Sequence, residues 1–447
     1  MPQKPVVLTQ QGDNMDGTQI KELIDNYTAT KTYQQMKLYR DLYMKANPNL
    51  MKRIRDRELQ KRTPNWCVPT AYFSTVIDTH AGYLFSDVQY DSKNDIYEAH
   101  IQEILDANNV SVKDMKAGLH ALTYNRAYEL VYTVGDGVDL KGTKIKFAPL
   151  DPLSVVPIYS DTIEPELIAI VWFRDSGATK LVDYITATEW TQFKAEKDRS
   201  YEQIDTRVLN FSQCPVVEYR AEMIGDVSPF DSVVSYIEAL DWAITGNSNE
   251  IDRIVDAILL LGQRMDPEDR DHLNEIKTLE GISKDDITPQ FLEKNLSPEF
   301  RKYVTDLLIQ EIYRHSHTVD WHTQMEGEAS AKALKIKLFD MDMYSRRIEK
   351  VFIEGTKKRL DLIMELVRLR DNMQPEAISV SFERTLPTDV ETLIQVLTGV
   401  DWISNQTKQE WVGLNSDIEQ ERLNGEAPMI NLDEVANDIQ SDADSEE

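Results

Sequence analysis

The sequence predicts an α+β fold divided among several domains, and three observations predict it. Apolar residues recur at helical spacing through the first quarter of the chain. The period shortens to two between Tyr128 and Arg220, and a helical pattern of about 40 residues then fills 331–372. With 447 residues and 41% apolar content, the chain has material for about two to four domains with real cores.

Residues 1–16 are polar, and after them Ile20, Leu23, Ile24, Tyr27, Met36, Tyr39, Leu42 and Tyr43 fall at helical intervals, predicting an amphipathic helical region over 20–46. The run 52–62 carries six basic and two acidic residues and reads as a solvated or intersubunit face. Pro64 and Pro69 bracket a loop, with helices expected at 70–85, 96–108 and 111–126. Strands follow at 128–134, 144–149, 154–159, 168–174, 180–187 and 216–220.

From Phe230 the helical period returns. Val233, Val234, Ile237, Leu240, Ile244, Ile251, Ile254, Val255, Ile258 and Leu259 form one stripe that predicts a helix to Leu261, with Gly246-Asn247-Ser248-Asn249 as a kink or a break. Asp231, Glu238, Asp241, Glu250, Asp252 and Asp256 oppose a single Arg253 along this element, so its polar face is expected to be acidic. The insert 263–297 contains Pro267, Gly281 and Pro289, and its β-leaning runs 277–282 and 287–292 suit a hairpin. Pro298 opens the next helix at the one turn where its missing N–H does no harm. A breaker-rich loop leads to the long helix, roughly 60 Å at ~1.5 Å per residue. Such a length outgrows one compact core and points to a part that spans an assembly. A strand at 378–382, short helices and an acidic tail follow.

Charge narrows the function. Against 49 Lys and Arg stand 77 Asp and Glu, a net of −28, whereas a nucleic-acid binder ordinarily carries a basic face. Any contact with DNA is therefore expected to be non-adhesive. Nearly half the excess lies in 386–447, with 15 acids against two bases, and 433–447 reads as a disordered tail. Cys67 and Cys214 alone make neither a disulfide framework nor a zinc ribbon, in keeping with a reducing cytosol. The N-terminus lacks a signal-peptide pattern, and Asp256 interrupts the longest apolar run, so no membrane segment is expected.

Chemical motifs are missing. Gly137 and Gly142 have P-loop spacing, but Thr143-Lys144 follow where Lys and then Ser or Thr are needed, so a hairpin loop is the reading. No GxGxxG, GxSxG, HExxH or EF-hand loop occurs. His315, His317 and His322 have spacing open to zinc or nickel, against a plainer role at a helix C-terminus. Glu326 with Glu328, and Asp340 with Asp342, are the pairs a two-metal nuclease would use, though 77 acids produce such pairs by chance. Met341 and Met343 read as core filling. No catalytic residue, metal or cofactor is predicted.

Several strings, in order, resemble the portal proteins of tailed bacteriophages, in the branch with long non-contractile tails. They are VPTAYFSTVIDTHAGYLF at 68–85, NRAYELVY at 125–132 followed by Leu150-Asp151-Pro152, VVEY at 216–219, and AILLL at 257–261. EASAKALK at 328–335, LPTD at 386–389 and ISNQT at 403–407, running on through Glu419 and Glu426, complete the set. Ser86-Asp87-Val88 stands where that family commonly has Gly and Pro, and Ser330-Ala331 where it often has Ser-Gly.

The resemblance implies a portal-type subunit that assembles, as a dodecamer, into a ring with an axial channel. Its wing would be 1–229, its stem helices 230–262 and 298–317, its clip 263–297, its tunnel loop 318–330, its long connecting helix 331–372, a further wing strand 373–385, and its crown and tail 386–447. Asp320, Trp321, His322, Gln324, Glu326 and Glu328 would meet DNA from the loop, and Glu238, Asp241, Glu250 and Asp252 would line the stem. Lys277, Glu280, Lys284 and Gln290 would sit on the clip that docks the terminase motor and later the neck adaptor. Capsid and scaffold proteins are the other implied partners, and the virion vertex, assembled in the host cytoplasm, the implied location. The competing expectations are a metal-dependent nuclease or another acidic, oligomeric virion or scaffold protein.

Overall fold

The computed structural model describes residues 15–59, 65–135, 142–176, 179–196, 201–209, 211–255, 259–260, 290–291, 297–320 and 331–384. Two compact units are present. The larger is 1–324 with 338–385; the smaller, 325–337 with 386–447, contributes only the first turns of the long helix to the described residues.

Three helices begin the larger unit: α1 (Gly17–Thr28), α2 (Lys31–Tyr43) and α3 (Pro48–Leu59). The expected region 20–46 is two helices because Thr30 accepts from the Tyr33 N–H and starts a new one. Asp16 and Gln19 form a reciprocal capping box on α1. The basic run forms most of α3. Next come α4 (Tyr72–Phe85), β1 (Asp87–Ser92), α5 (Asp95–Asp106) and α6 (Val110–Tyr124).

Two sheets build the middle. β2 (Ala127–Val134) lies between β3 (Lys144–Leu150) and β9 (Val216–Tyr219), antiparallel to both. β4 (Val155–Tyr159), β5 (Leu167–Ser176), β6 (Thr179–Thr186), β7 (Glu189–Glu196) and β8 (Glu202–Val208) form an antiparallel meander in chain order. Alternation divides the meander between two cores. Val156, Ile158, Val171, Val182 and Phe193 meet Ile20 and Tyr27 of α1, while Val155, Ile170 and Ile185 meet Tyr128, Leu130 and Val216 of the smaller sheet.

The largest core joins α2, α4, α5 and α6 to α7 (Asp231–Val255) and the long helix, here α9 (Ala331–Asp371). Between those two run α8 (Pro298–His315) and the short antiparallel pair β10 (Leu259–Leu260) and β11 (Gln290–Phe291). Phe352 of α9 packs between Phe85 and Tyr219, with ring centroids 4.5 and 4.8 Å away. Gly355 lets the helix this close: a Cβ there would stand 2.4 Å from the Tyr219 ring. Asn372 ends α9 in the left-handed conformation, as Asn125 ends α6. β12 (Ile378–Glu383) then pairs antiparallel with β1.

A buried charge network fastens α9 at its middle. Arg359, 0% exposed, donates to Asp114 of α6 at 2.6 Å and to the Tyr90 hydroxyl, which in turn donates to Asp114 at 2.6 Å. Glu129 of β2 completes it, accepting from the Tyr219 hydroxyl at 2.8 Å. Burial raises the Glu129 pKa against the pull of Arg359.

Candidate functional site

The helix pair α7 and α8, with the turn that leaves α8 toward α9, is the part expected to carry function. The first helix runs unbroken through Gly246-Asn247-Ser248-Asn249. Ser248 and Asn249 turn their side chains back onto the carbonyls of Ile244 and Thr245, at 3.0 and 2.8 Å, so they decorate the helix without interrupting it. It ends earlier than its apolar stripe implied, at Val255, with Leu259 already in a strand.

Val233, Ile237, Asp241, Thr245 and Asn249 form a row at four-residue spacing, all 2% exposed or less. The polar half of this row grips the segment 65–70. Asn249 Oδ1 accepts from the Trp66 N–H at 2.7 Å, Thr245 Oγ1 from Val68 at 3.1 Å, and Asp241 Oδ1 from Thr70 at 2.7 Å. Asn47 Nδ2 donates to the other Asp241 oxygen at 2.7 Å. The fit is metric: four helical residues rise ~6 Å, and two residues of extended chain advance ~6.6 Å. Helix side chains here do the work of a neighbouring strand.

This arrangement corrects the expected acidic stem face. Asp241 is 1% exposed and spends both oxygens inside the protomer, so it is no lining residue. Glu238 accepts from Asn49 at 2.5 Å, and Glu250 is ion-paired with Arg301 of α8. Only the backbone of Asp252 is described. The signal missed in the sequence was the row itself, in which Asp241, Thr245 and Asn249 continue the spacing of Val233 and Ile237.

The end of α8 is a Schellman turn. Thr318 N–H reaches the Tyr313 carbonyl at 3.1 Å and His317 N–H the Arg314 carbonyl at 3.3 Å. His317 occupies the left-handed position, φ 54°, which glycine usually takes and which strains other residues by ~1–2 kcal/mol. Its Nδ1 is 2.9 Å from Asp340 of α9, and its ring stacks on Tyr344 with centroids 4.5 Å apart. His315 turns elsewhere, stacking on Tyr236 of α7 at 5.1 Å. The two imidazoles thus serve different helices, and among the described residues no three His, Cys, Asp or Glu side chains gather as a metal site would require.

His80 of α4 holds the turn from the opposite side. Its Nε2 lies 2.9 Å from the Ser316 carbonyl and 3.1 Å from Thr318 Oγ1, which assigns the proton to Nε2. Burial lowers its pKa to about 4, the Ser316 bond opposing and the neighbouring His317 reinforcing the shift, so the ring is neutral at pH 7. Phe230 and Tyr344 flank it at 4.9 and 5.8 Å. The sequence offered one signal for this residue, a histidine on the apolar face of α4 with Phe73, Val76, Ile77 and Leu84.

Asp320 supplies a second correction. Expected at a channel surface, it is 7% exposed within the protomer, and its charge acts on Tyr72 and Tyr313, whose phenols burial already pushes up. Trp321, His322, Gln324, Glu326 and Glu328 lie outside the described residues, as do Lys277, Glu280 and Lys284, and Gln290 is described only as a backbone position in β11. The hairpin expected from 277–282 and 287–292 also lies outside them, except that Gln290–Phe291 pairs with Leu259–Leu260. No described helix is long and apolar enough to cross a membrane.

Comparison with known proteins adds to this geometry. A portal protein of Clostridium phage phiCD119 is 21% identical over 324 residues, which cover 67% of this chain and 71% of that protein. A chain in the neck of an empty gene transfer agent particle, computed with C6 symmetry, aligns with a TM-score of 0.47 at 11% identity, over 77% of this chain and 90% of that one. A chain of the native particle's neck, computed with C12 symmetry, aligns with a TM-score of 0.43 at 11% identity, over 77% and 89%. The family described as phage portal protein, SPP1 Gp6-like, matches residues 18–432, so this chain belongs to that family.

Proposed function

We propose that copies of this chain close into a dodecameric ring at one vertex of a tailed-phage capsid. Duplex DNA is packaged through the ring's axial channel and later ejected by the same route. The observation that carries this reading is the order of parts in a chain of the portal family: a packed helix pair, then residues 318–330, then a 41-residue helix. In this proposal 1–229 with 373–385 is the wing, 230–262 and 298–317 the stem, 263–297 the clip, 331–372 the helix joining stem to wing, and 386–447 the crown and tail. A terminase supplies the force, with Lys277, Glu280, Lys284 and Gln290 on the docking surface that a neck adaptor later takes over. Capsid and scaffold proteins surround the ring, which is built in the host cytoplasm.

Weak adhesion is the physical requirement. A protein that neutralises six to ten phosphates holds DNA with affinity that ~10³–10⁵-fold changes in salt response reveal, and such a grip stalls translocation. A chain of net charge −28 avoids it. Within the proposal Glu326, Glu328 and Asp252 repel the duplex, while Trp321, His322 and Gln324 make the non-ionic contacts. Asp241 and Asp320 take no part, being buried, and Glu238 and Glu250 act mainly inside the protomer.

Negative-stain imaging of the purified protein tests the ring: rings with a central hole are expected, and monomers or filaments at every salt and protein concentration would count decisively against it. Replacing Trp321 and Gln324 together by Ala tests the loop contacts. Slower packaging or poorer DNA retention is expected, and wild-type behaviour removes these two residues from the proposal.

A further inference from the structure

One side of α9 is open to water. Leu338, Met341, Ser345, Ile348 and Phe352 are buried, and they set the side that faces the core. Phe339, Met343, Arg346, Lys350 and Lys357 follow at spacings of three, four and seven residues, which puts them together on the other side. All five are exposed, the apolar pair by 65% and 53%. This face is also basic, in a chain whose net charge is −28. From Arg346 to Asp361 five exposed bases stand against two exposed acids, Glu354 and Asp361. Asp342 and Glu222 meet Arg346 and Arg347 within the protomer, and Lys357 acts on Asp361. A helix face that is apolar at one end and basic beyond it suits a partner that is aliphatic and acidic.

The chain itself carries that chemistry, in the loop between β4 and β5. Residues 161–166 are all exposed, Ile163 completely. Asp161, Glu164 and Glu166 bring three carboxylates to the loop, which has no base. Its hydrogen bonds go to its own closure: Ser160 N–H reaches the Glu166 carbonyl at 2.9 Å, Glu166 N–H reaches Ser160 Oγ at 2.9 Å, and Thr162 Oγ1 donates to the Glu164 carbonyl at 2.6 Å. Little ordering entropy is left to lose when such a loop docks. We propose that the 160–166 loop of one copy seats on the α9 face of the next, Ile163 against Phe339 and Met343, and the carboxylates against Arg346 and Lys350. Met343 and Lys350 stand ~10 Å apart along the helix axis, a distance that the side chains of one compact loop can cover. The two patches differ, so the contact is heterologous, the kind that repeats around a closed ring. Closure into a ring rests on the portal reading; the pairing of the patches rests on their charge and shape.

Mass photometry of the purified full-length protein over a concentration series reads the contact. Arg346→Glu with Lys350→Glu, and separately Glu164→Lys with Glu166→Lys, should each raise the concentration needed for assembly on the order of tenfold or more. Far-UV circular dichroism should match wild type in both, because the four side chains are exposed and backbone groups and hydroxyls close the loop. Mixing the two variants one to one should restore assembly, since around an alternating ring every patch then meets one of opposite sign. Ile163→Ser should weaken assembly while keeping the salt response of wild type. Unchanged assembly in both charge variants, or a mixture no better than either variant alone, overturns the contact. So does salt-dependent binding of a short DNA duplex that the Arg346→Glu, Lys350→Glu variant loses while its rings stay intact, which would give this face to phosphates. Wild-type protein that is monomeric at every concentration removes the ring reading and this contact with it, whereas wild-type rings beside unaffected variants remove the contact and leave the ring reading standing.

Discussion

Arg359 and Asp114 meet at 2.6 Å with side chains 0% and 3% exposed, joining the middle of α9 to α6 across 245 positions of sequence. Water cannot reach either charge, so each depends on the other. Removing the cation strands Asp114 and Glu129 as buried carboxylates. Arg359→Met should therefore destabilise the protein by ~3–5 kcal/mol in urea unfolding. Adding Asp114→Asn and Glu129→Gln should recover part of the loss, since the unpaired charges then disappear.

Acid should weaken the fold through its neutral histidines. Burial lowers the pKa of His80 to about 4 and does the same for His120. The unfolded chain takes up these protons near the ordinary value of 6.5, so between that pH and about 4 the unfolded state binds more protons than the native one. Stability is full above the upper limit and falls as pH drops through the window, by roughly 3 kcal/mol for His80. Thermal midpoints measured from pH 7 to pH 4 check this, and His120→Leu should flatten the slope.

Loss of a rung should free the strap. Asn249→Ala removes both bonds to Trp66 and should cost ~1–3 kcal/mol, with exchange at the Trp66 amide rising first. Asp241→Asn keeps one acceptor and should cost less than Asp241→Ala, which strands Asn47 and the Thr70 N–H together.

An alanine at 355 should do harm where helix propensity alone forecasts a gain of ~1 kcal/mol. Its Cβ would stand 2.4 Å from the Tyr219 ring, which is itself stacked on Phe352 and bonded to Glu129. Overpacking of this kind costs ~1–3 kcal/mol, visible as a lower thermal midpoint.

Elements whose side chains divide cleanly between core and water were legible in the sequence. β2 to β6, α4 to α6 and the 41-residue α9 lie close to their expected positions because burial imposes the period that marks them. β8 escaped because every residue from Glu202 to Val208 is exposed, leaving no alternation to read. β1 escaped as a short polar strand that needs β12, nearly 300 positions away, to exist. α3 was hidden by its own charge. Of the candidate site, the helix pair and the long helix were legible, whereas the fates of Asp241 and Asp320 were not. An acid at a helical position looks solvated until the element that covers it is known, and Asn47, Thr70, Tyr72 and Tyr313 all come from other elements.

The strap along α7 behaves as a vernier. Its three rungs engage every second residue of 65–70 and every fourth of the helix, so only shifts of two residues in the segment bring the scales back into coincidence. A one-residue insertion or deletion between Trp66 and Thr70 would point the remaining amides away from Asp241, Thr245 or Asn249 at a stroke. The length of this segment is thereby quantised in pairs, a constraint on which indels the chain can accept that no single side chain in it would reveal.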